Sequence, residues 1–168
     1  MPAARKSFEE WVEPLARMLE TGDFLGVARK SPPLFRKIAS SGSRRWFGAV
    51  AGEEPWTRLD VLAHMTDTEA IMTVRIRKML AEDDPAIPFF DQERWIEALR
   101  PFRGGDPKRI AARFAAMRAE NIAVLASLAP AQMKRTGVHP ERGRMTIADL
   151  LAGMARHDVG HLRQIIAG

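Results

Sequence analysis

Two histidines four residues apart near the end of the chain, His157 and His161, stand where a helix would normally bury apolar side chains. On a helix, Leu150, Met154, His157, His161 and Ile165 fall along one stripe. An imidazole placed there must find partners for two ring nitrogens once water is excluded. At this spacing the rings lie about 40° apart around the helix and roughly 6 Å apart along it, so both can converge on one ion. A divalent metal is the simplest partner. The chain has no cysteine, which removes disulfides, thiolate ligands and a cysteine nucleophile and leaves histidine and carboxylate as the available ligands. H-x-x-x-H alone is a weak signal. The intervening Asp158, Val159 and Gly160 lack the glutamate of an H-E-x-x-H zincin, which argues against that protease class.

A third histidine comes from an earlier helix. Thr57 can cap a helix start with Asp60 at the box position and Trp56 and Val61 at the staple positions. Leu62, Met65, Met72, Ile76 and Met79 then supply an apolar seam to about residue 80, with His64 beside it and Glu69 within it. The closing helix starts in the same way, with Thr146 as cap, Asp149 in the box and Met145 and Leu150 as the staple. If neighbouring helices alternate in direction, these two run parallel, and His64 meets His157 and His161 within one or two turns of the same height. Three imidazoles leave coordination positions open, a catalytic style of site that zinc, nickel or iron(II) would accept. Spacing alone leaves open the competing reading, in which the histidines are satisfied by ordinary hydrogen bonds.

The positioning elements read as an all-α, up-and-down four-helix bundle with an extra N-terminal helical segment. Its 168 residues form a single domain, with residues 30–168 as the bundle and 1–29 as a helical extension packed on it. Ser7 to Glu10 reads as a capping box before a first amphipathic helix that Pro14 should kink or split. Ser31-Pro32-Pro33 reads as the start of a short helix, within a stretch from 24 to 40 that reads as one broken helix. Residues 43–55 read as a loop with at most one helical turn. A long connection from Asp84 to Gly105 separates the second and third long helices and contains a short helix around Asp91 to Leu99. The third long helix starts near Pro107, with Asn121 as the one polar residue in its seam. No strand is required. Glu69 and Asn121 are expected to pair with an arginine or with backbone, Asp67 to orient a ligand imidazole or to lie on a solvated face, and His139 to occupy an exposed turn or reach the bundle mouth.

Composition narrows the function classes. Hydrophobic residues make up 46% and charged residues 28%, which is globular and argues against disorder. The N-terminus lacks a secretory signal pattern, and no apolar run approaches a membrane span, so the expected location is cytoplasmic with no membrane partner. The net charge of +5 is scattered along the chain, which favours solvated helix faces over a nucleic-acid footprint.

The order of the motifs resembles the DinB/YfiT-like superfamily of four-helix-bundle metalloenzymes. The resemblance rests on W-T-x-x-D-V-L-A-H from Trp56 to His64, on Asp84-Pro85-Ala86-Ile87-Pro88 followed by Asp91 and Trp95, on His139-Pro140 before Gly143, and on His157-Asp158-Val159-Gly160-His161-Leu162. It implies His64, His157 and His161 as ligands of one divalent ion. It also implies a thiol S-transferase that uses a low-molecular-weight thiol on a small electrophilic substrate, with a metal-dependent hydrolase as the alternative, and a homodimer. Two readings from other classes are a basic nucleic-acid module with structural histidines and a bundle that a metal only stabilises.

Overall fold

The computed structural model describes residues 9–41, 44–50 and 56–167. In chain order these form α1 (Glu9–Glu20), α2 (Phe24–Ala39), a 3-10 turn (Arg44–Phe47), α3 (Arg58–Ala81), α4 (Gln92–Arg103), α5 (Pro107–Ser127), α6 (Pro130–Met133), β1 (Thr136–His139), β2 (Gly143–Thr146) and α7 (Ile147–Ile166). None of these helices is long and apolar enough to cross a membrane. The expected cap at Ser7 lies outside the described residues. The caps at Thr57 and Thr146 are present as full boxes, each threonine side chain receiving the N3 backbone N–H and each aspartate receiving the cap's own N–H.

α2, α3, α5 and α7 make the four-helix bundle, in which α2 and α3 each pack on both α5 and α7. α1 lies outside, against α2 and α7. The bundle therefore begins at Phe24, and the extension is α1 rather than residues 1–29. Strict alternation of direction does not hold. Arg58, at the start of α3, donates from Nε to the carbonyl of Ile165 near the end of α7 at 3.1 Å, so these two helices are antiparallel. Glu69 meets Arg118 and Thr73 meets Asn121, which makes α3 and α5 parallel. Phe35 packs edge-on against Phe114 while the carbonyl of Ala28 meets Arg118, so α2 and α5 are antiparallel. The directions run up, down, down, up. A parallel pair needs a connection that returns the full length of the helix. This is the physical reason for the long segment between α3 and α5 that carries α4.

Two expected helix breaks do not occur. Pro14 sits inside α1 at an exposed position without ending the helix. Pro32 removes the N–H that would bond the carbonyl of Ala28, and Arg118 Nη1 reaches that carbonyl instead at 3.3 Å. α2 therefore continues through both prolines from its cap at Asp23.

A short hairpin, not expected from the sequence, follows α6. β1 and β2 pair antiparallel from Thr136 opposite Thr146 to His139 opposite Gly143. Gly143 takes φ +71° after the three-residue loop, as such hairpins require. Gly137 lets the strand lie close to α3, because a Cβ there would come within 2.8 Å of Met79 and Ile87. The N–H of Ile87 donates to Val138 O and that of Val138 to Pro85 O, so the hairpin also ties down the Asp84 to Pro88 segment.

The core falls into two apolar clusters. Between them lies a polar slice across all four helices, made of Ser31, Glu69, Arg118, Asn121 and Asp158, each at most 2% exposed. Arg118 donates to Glu69 at 2.7 Å and to both oxygens of Asp158 at 2.5 and 2.9 Å. Asn121 donates to Glu69 Oε1 at 2.7 Å, and the Ser31 hydroxyl donates to Asp158. Removing one partner from such a group strands buried charge. Arg118→Met is expected to lower the unfolding free energy by about 3–5 kcal/mol. Urea denaturation checks this, and a loss of a few tenths would mean that water already screens the slice.

Candidate metal centre

His64 occupies the second turn of α3, and His157 and His161 lie in the second half of α7. Because the two helices are antiparallel, the start of one stands beside the end of the other. The three rings thus meet for a reason opposite to the parallel arrangement expected from the caps. His64 Nε2 and His157 Nε2 are 2.9 Å apart, and His161 Nε2 and His157 Nε2 are 3.0 Å apart. All three ligand atoms lie within 4.8 Å of one another, and no carboxylate joins the group among the described residues.

The chemistry of these nitrogens fits a shared cation. Two contacts converge on His157 Nε2, which has one lone pair or one hydrogen to offer and cannot serve both well. An ion accepting all three lone pairs removes the conflict. Nitrogens held at 2.0–2.1 Å by one ion would stand about 3 Å apart, comparable with the two spacings measured from His157. His161 Nδ1 donates to Gln164 Oε1 at 2.7 Å, which places the proton on Nδ1 and leaves the Nε2 lone pair free for a metal. Gln164 was not anticipated, although its place one turn after His161 is the natural one for such a partner.

The surroundings hold the His64 and His157 rings neutral. Burial, with help from His161 and Arg103, takes His64 down to about 3. Burial also takes His157 well below the usual histidine range, reinforced by its two histidine neighbours. The ring centroid of Trp56 stands 5.1 Å from that of His64, Phe90 stacks at 6.0 Å, and Trp95 packs on Phe90 at 5.1 Å. The tryptophan that opens the helix-start motif therefore shields the histidine that closes it.

The other expected site residues separate into two groups. Asp67 pairs with Arg103 of α4 rather than with a ligand imidazole, and His64 Nδ1 is buried without a hydrogen-bond partner. Glu69 and Asn121 belong to the polar slice, as buried polar groups paired with an arginine. Burial raises the Glu69 pKa against the opposing pull of Arg118. His139 is 5% exposed rather than an open turn residue. It lines a cleft of about 530 Å³ between α3 and α7, together with His64, His157, Thr68, Met72 and Arg75. Arg118 and Asp158 were missed as structural partners, and Arg75 and Phe90 as lining residues.

The profile of the DinB superfamily matches residues 3–165. The chain belongs to the DinB superfamily. Among similar proteins, one from Oceanobacillus iheyensis is 28% identical over 111 residues, covering 66% of this chain and 63% of that protein. YfiT of Bacillus subtilis is 25% identical over 114 residues, covering 66% of this chain and 64% of YfiT. A Bacillus licheniformis protein is 25% identical over 162 residues, covering 96% of this chain and 90% of its own length. All three carry provisional names as metal-dependent hydrolases. The chain thus spans just under two thirds of the length of the first two relatives. The solved structure of YfiT, described as a probable metal-dependent hydrolase with an unusual four-helix bundle topology, superposes with a TM-score of 0.78 at 24% identity. The superposition covers 87% of this chain and 84% of YfiT. The DinB profile takes in α1 and α2, which precede the motifs that carry the resemblance from Trp56 onward.

Two outcomes are expected. Protein purified without a nickel column should carry about one ion per chain by elemental analysis, and His157→Ala should lose it; a metal-free wild type with tight packing would contradict the assignment. In the metal-free protein, His64 and His157 stay neutral in the folded state while the unfolded chain binds protons below about pH 6.5. Their stabilisation is therefore complete above that pH and lost on acidification, by roughly 1.4 kcal/mol per pH unit for each ring. Urea titrations from pH 7 to 5 should show this slope, and His64→Gln should reduce it.

Proposed function

We propose that this DinB-superfamily chain is a metal-dependent enzyme that hydrolyses a small molecule held in the cleft between α3 and α7. The observation that carries the reading is the convergence of three imidazoles, two of which line a cleft large enough for such a ligand. A divalent ion held by His64, His157 and His161, whether zinc, nickel or iron(II), supplies a Lewis acid that lowers the pKa of a coordinated water or thiol. Trp56, Phe90 and Trp95 exclude bulk water around His64, which strengthens electrostatic interactions there. Gln164 fixes the orientation and tautomer of His161. Thr68 places a hydroxyl 3.4 Å from His64 Nε2 on the cleft wall.

The provisional names of the relatives support hydrolysis. Thiol S-transfer to an electrophile is the second reading, with a low-molecular-weight thiol as cosubstrate, and the ligand set itself favours it. No carboxylate joins the trio at ligand distance among the described residues, so none stands in place as a base beside the three nitrogens. A thiol, being more acidic than water, needs none.

Metal-loaded protein assayed against a panel of esters and amides, and in parallel against electrophiles with added thiols, separates the two. Hydrolysis that needs no thiol and falls at least 100-fold in His157→Ala supports the first reading; thiol-dependent consumption of the electrophile without hydrolysis supports the second. Turnover that survives chelation and the alanine variant would remove both.

A further inference from the structure

Arg75 is only 8% exposed, yet no carboxylate pairs with it among the described residues. The contrast with its neighbours is sharp. Arg118 meets Glu69 and Asp158, and Arg103 meets Asp67. Arg75 instead donates from Nε and Nη2 to the carbonyl of Pro88 at 2.9 and 2.7 Å, and from Nη2 to His139 Nε2 at 3.1 Å. The charged neighbour acting on it is Arg142, of the same sign, which with burial lowers its pKa. A buried cation with no carboxylate partner is costly unless an anion completes it.

His139 belongs to the same arrangement. Its Nε2 faces Arg75, and its Nδ1 faces the backbone N–H groups of Glu141 and Arg142 at 3.2 and 3.3 Å. A neutral ring accepts at one nitrogen only, so His139 braces Arg75 in the tautomer that leaves the Nε2 lone pair free. Arg75, Arg142 and His139 all line the cleft that holds His64 and His157. Along α3 the wall runs His64, Thr68, Met72, Arg75, a stripe about 16 Å long from the histidine to the arginine. The acidic residues that also line the cleft are engaged or peripheral. Asp149 is held in the Thr146 box, Asp91 caps α4, and Glu93 and Glu141 are exposed.

We infer that the part of the cleft around Arg75 is an oxyanion subsite, in which Arg75, beside His139, and Arg142 bind a carboxylate or phosphate group of the substrate. This rests on the reading of the cleft as the active site. It makes the substrate an elongated anion with its reactive group at the histidine end. With Nε and Nη2 of Arg75 held by Pro88 and His139, Nη1 is the donor left to meet an oxyanion.

Calorimetry on the metal-free full-length chain, with glutarate and inorganic phosphate titrated separately in low-salt buffer, tests the subsite without any metal. One of the two anions should bind at one per chain and weaken at least tenfold in Arg75→Gln and in Arg142→Glu. The second change is at an exposed residue and leaves the fold intact, so the test holds even if the first destabilises the protein. Binding of neither anion, or binding that survives Arg142→Glu, would overturn the subsite. On metal-loaded protein, a chain-length series of dicarboxylic acid monohydroxamates is compared with their methyl esters. At one length the free acid should bind at least tenfold tighter than its ester, and Arg75→Gln should abolish the difference. If glutarate or phosphate binds but no hydroxamate does, the metal reading fails and the subsite stands; if hydroxamates bind with no preference for the acid at any length, the subsite fails and the metal reading stands.

Discussion

The ion cluster of Arg118 with Glu69 and Asp158 sets the frame for everything else in this bundle. It places one cation and two carboxylates where the solvent cannot reach, joined by Ser31 and Asn121. Apolar clusters above and below it tolerate some sliding of one helix on another, because hydrophobic contact is not directional. The charged slice does not. A slip of one turn by α2, α3, α5 or α7 would leave a buried charge or hydroxyl without its partner, at a cost of several kcal/mol. The slice thereby also aims the candidate site. Asp158 and His157 are adjacent on α7, about 100° apart around the helix. Turning Asp158 toward Arg118 presents His157 to α3.

The order of directions carries a second constraint. With α3 and α5 parallel, the chain must travel back along the bundle between them, and it does so through residues 82–106, which include α4. Phe89 and Phe90 lie in this return and line the cleft, and Asp91 caps α4. The hairpin holds the first part of the return through the backbone pairing of Val138 with Pro85 and Ile87. One wall of the cleft is therefore helix, and the other is chain whose presence the topology demands.

Much of this was readable from residues and spacing. Both capping boxes start their helices at the expected threonines, because cap, box and staple are local chemistry. The three histidines were found through helical period, although the reasoning on direction was inverted. His64 lies near the start of its helix and His161 near the end of its own, so the antiparallel pair brings them to one height. What stayed hidden depends on partners distant in sequence. Pro32 reads as a helix start because the carbonyl it strands is rescued by Arg118, 86 positions later in the chain. Arg118 lies four residues after Phe114, within the seam, but in a helix with several arginines it resembles a solvated charge. The strands of the hairpin are four residues each, too short for an alternating pattern to emerge.

The separation of the cleft into a helical wall and a looped wall has a bearing on how proteins of this build diversify. The histidines sit on α3 and α7, in positions that the buried charges hold in register. Phe89, Phe90, His139 and Arg142 sit on segments joined to the bundle mainly at their ends and by the hairpin. Mutations at Phe89, His139 or Arg142 alter the shape and charge offered to a ligand while the helices keep the three histidines in place. One inherited scaffold can in this way explore many ligands, with selection acting on the loops and drift confined by the core.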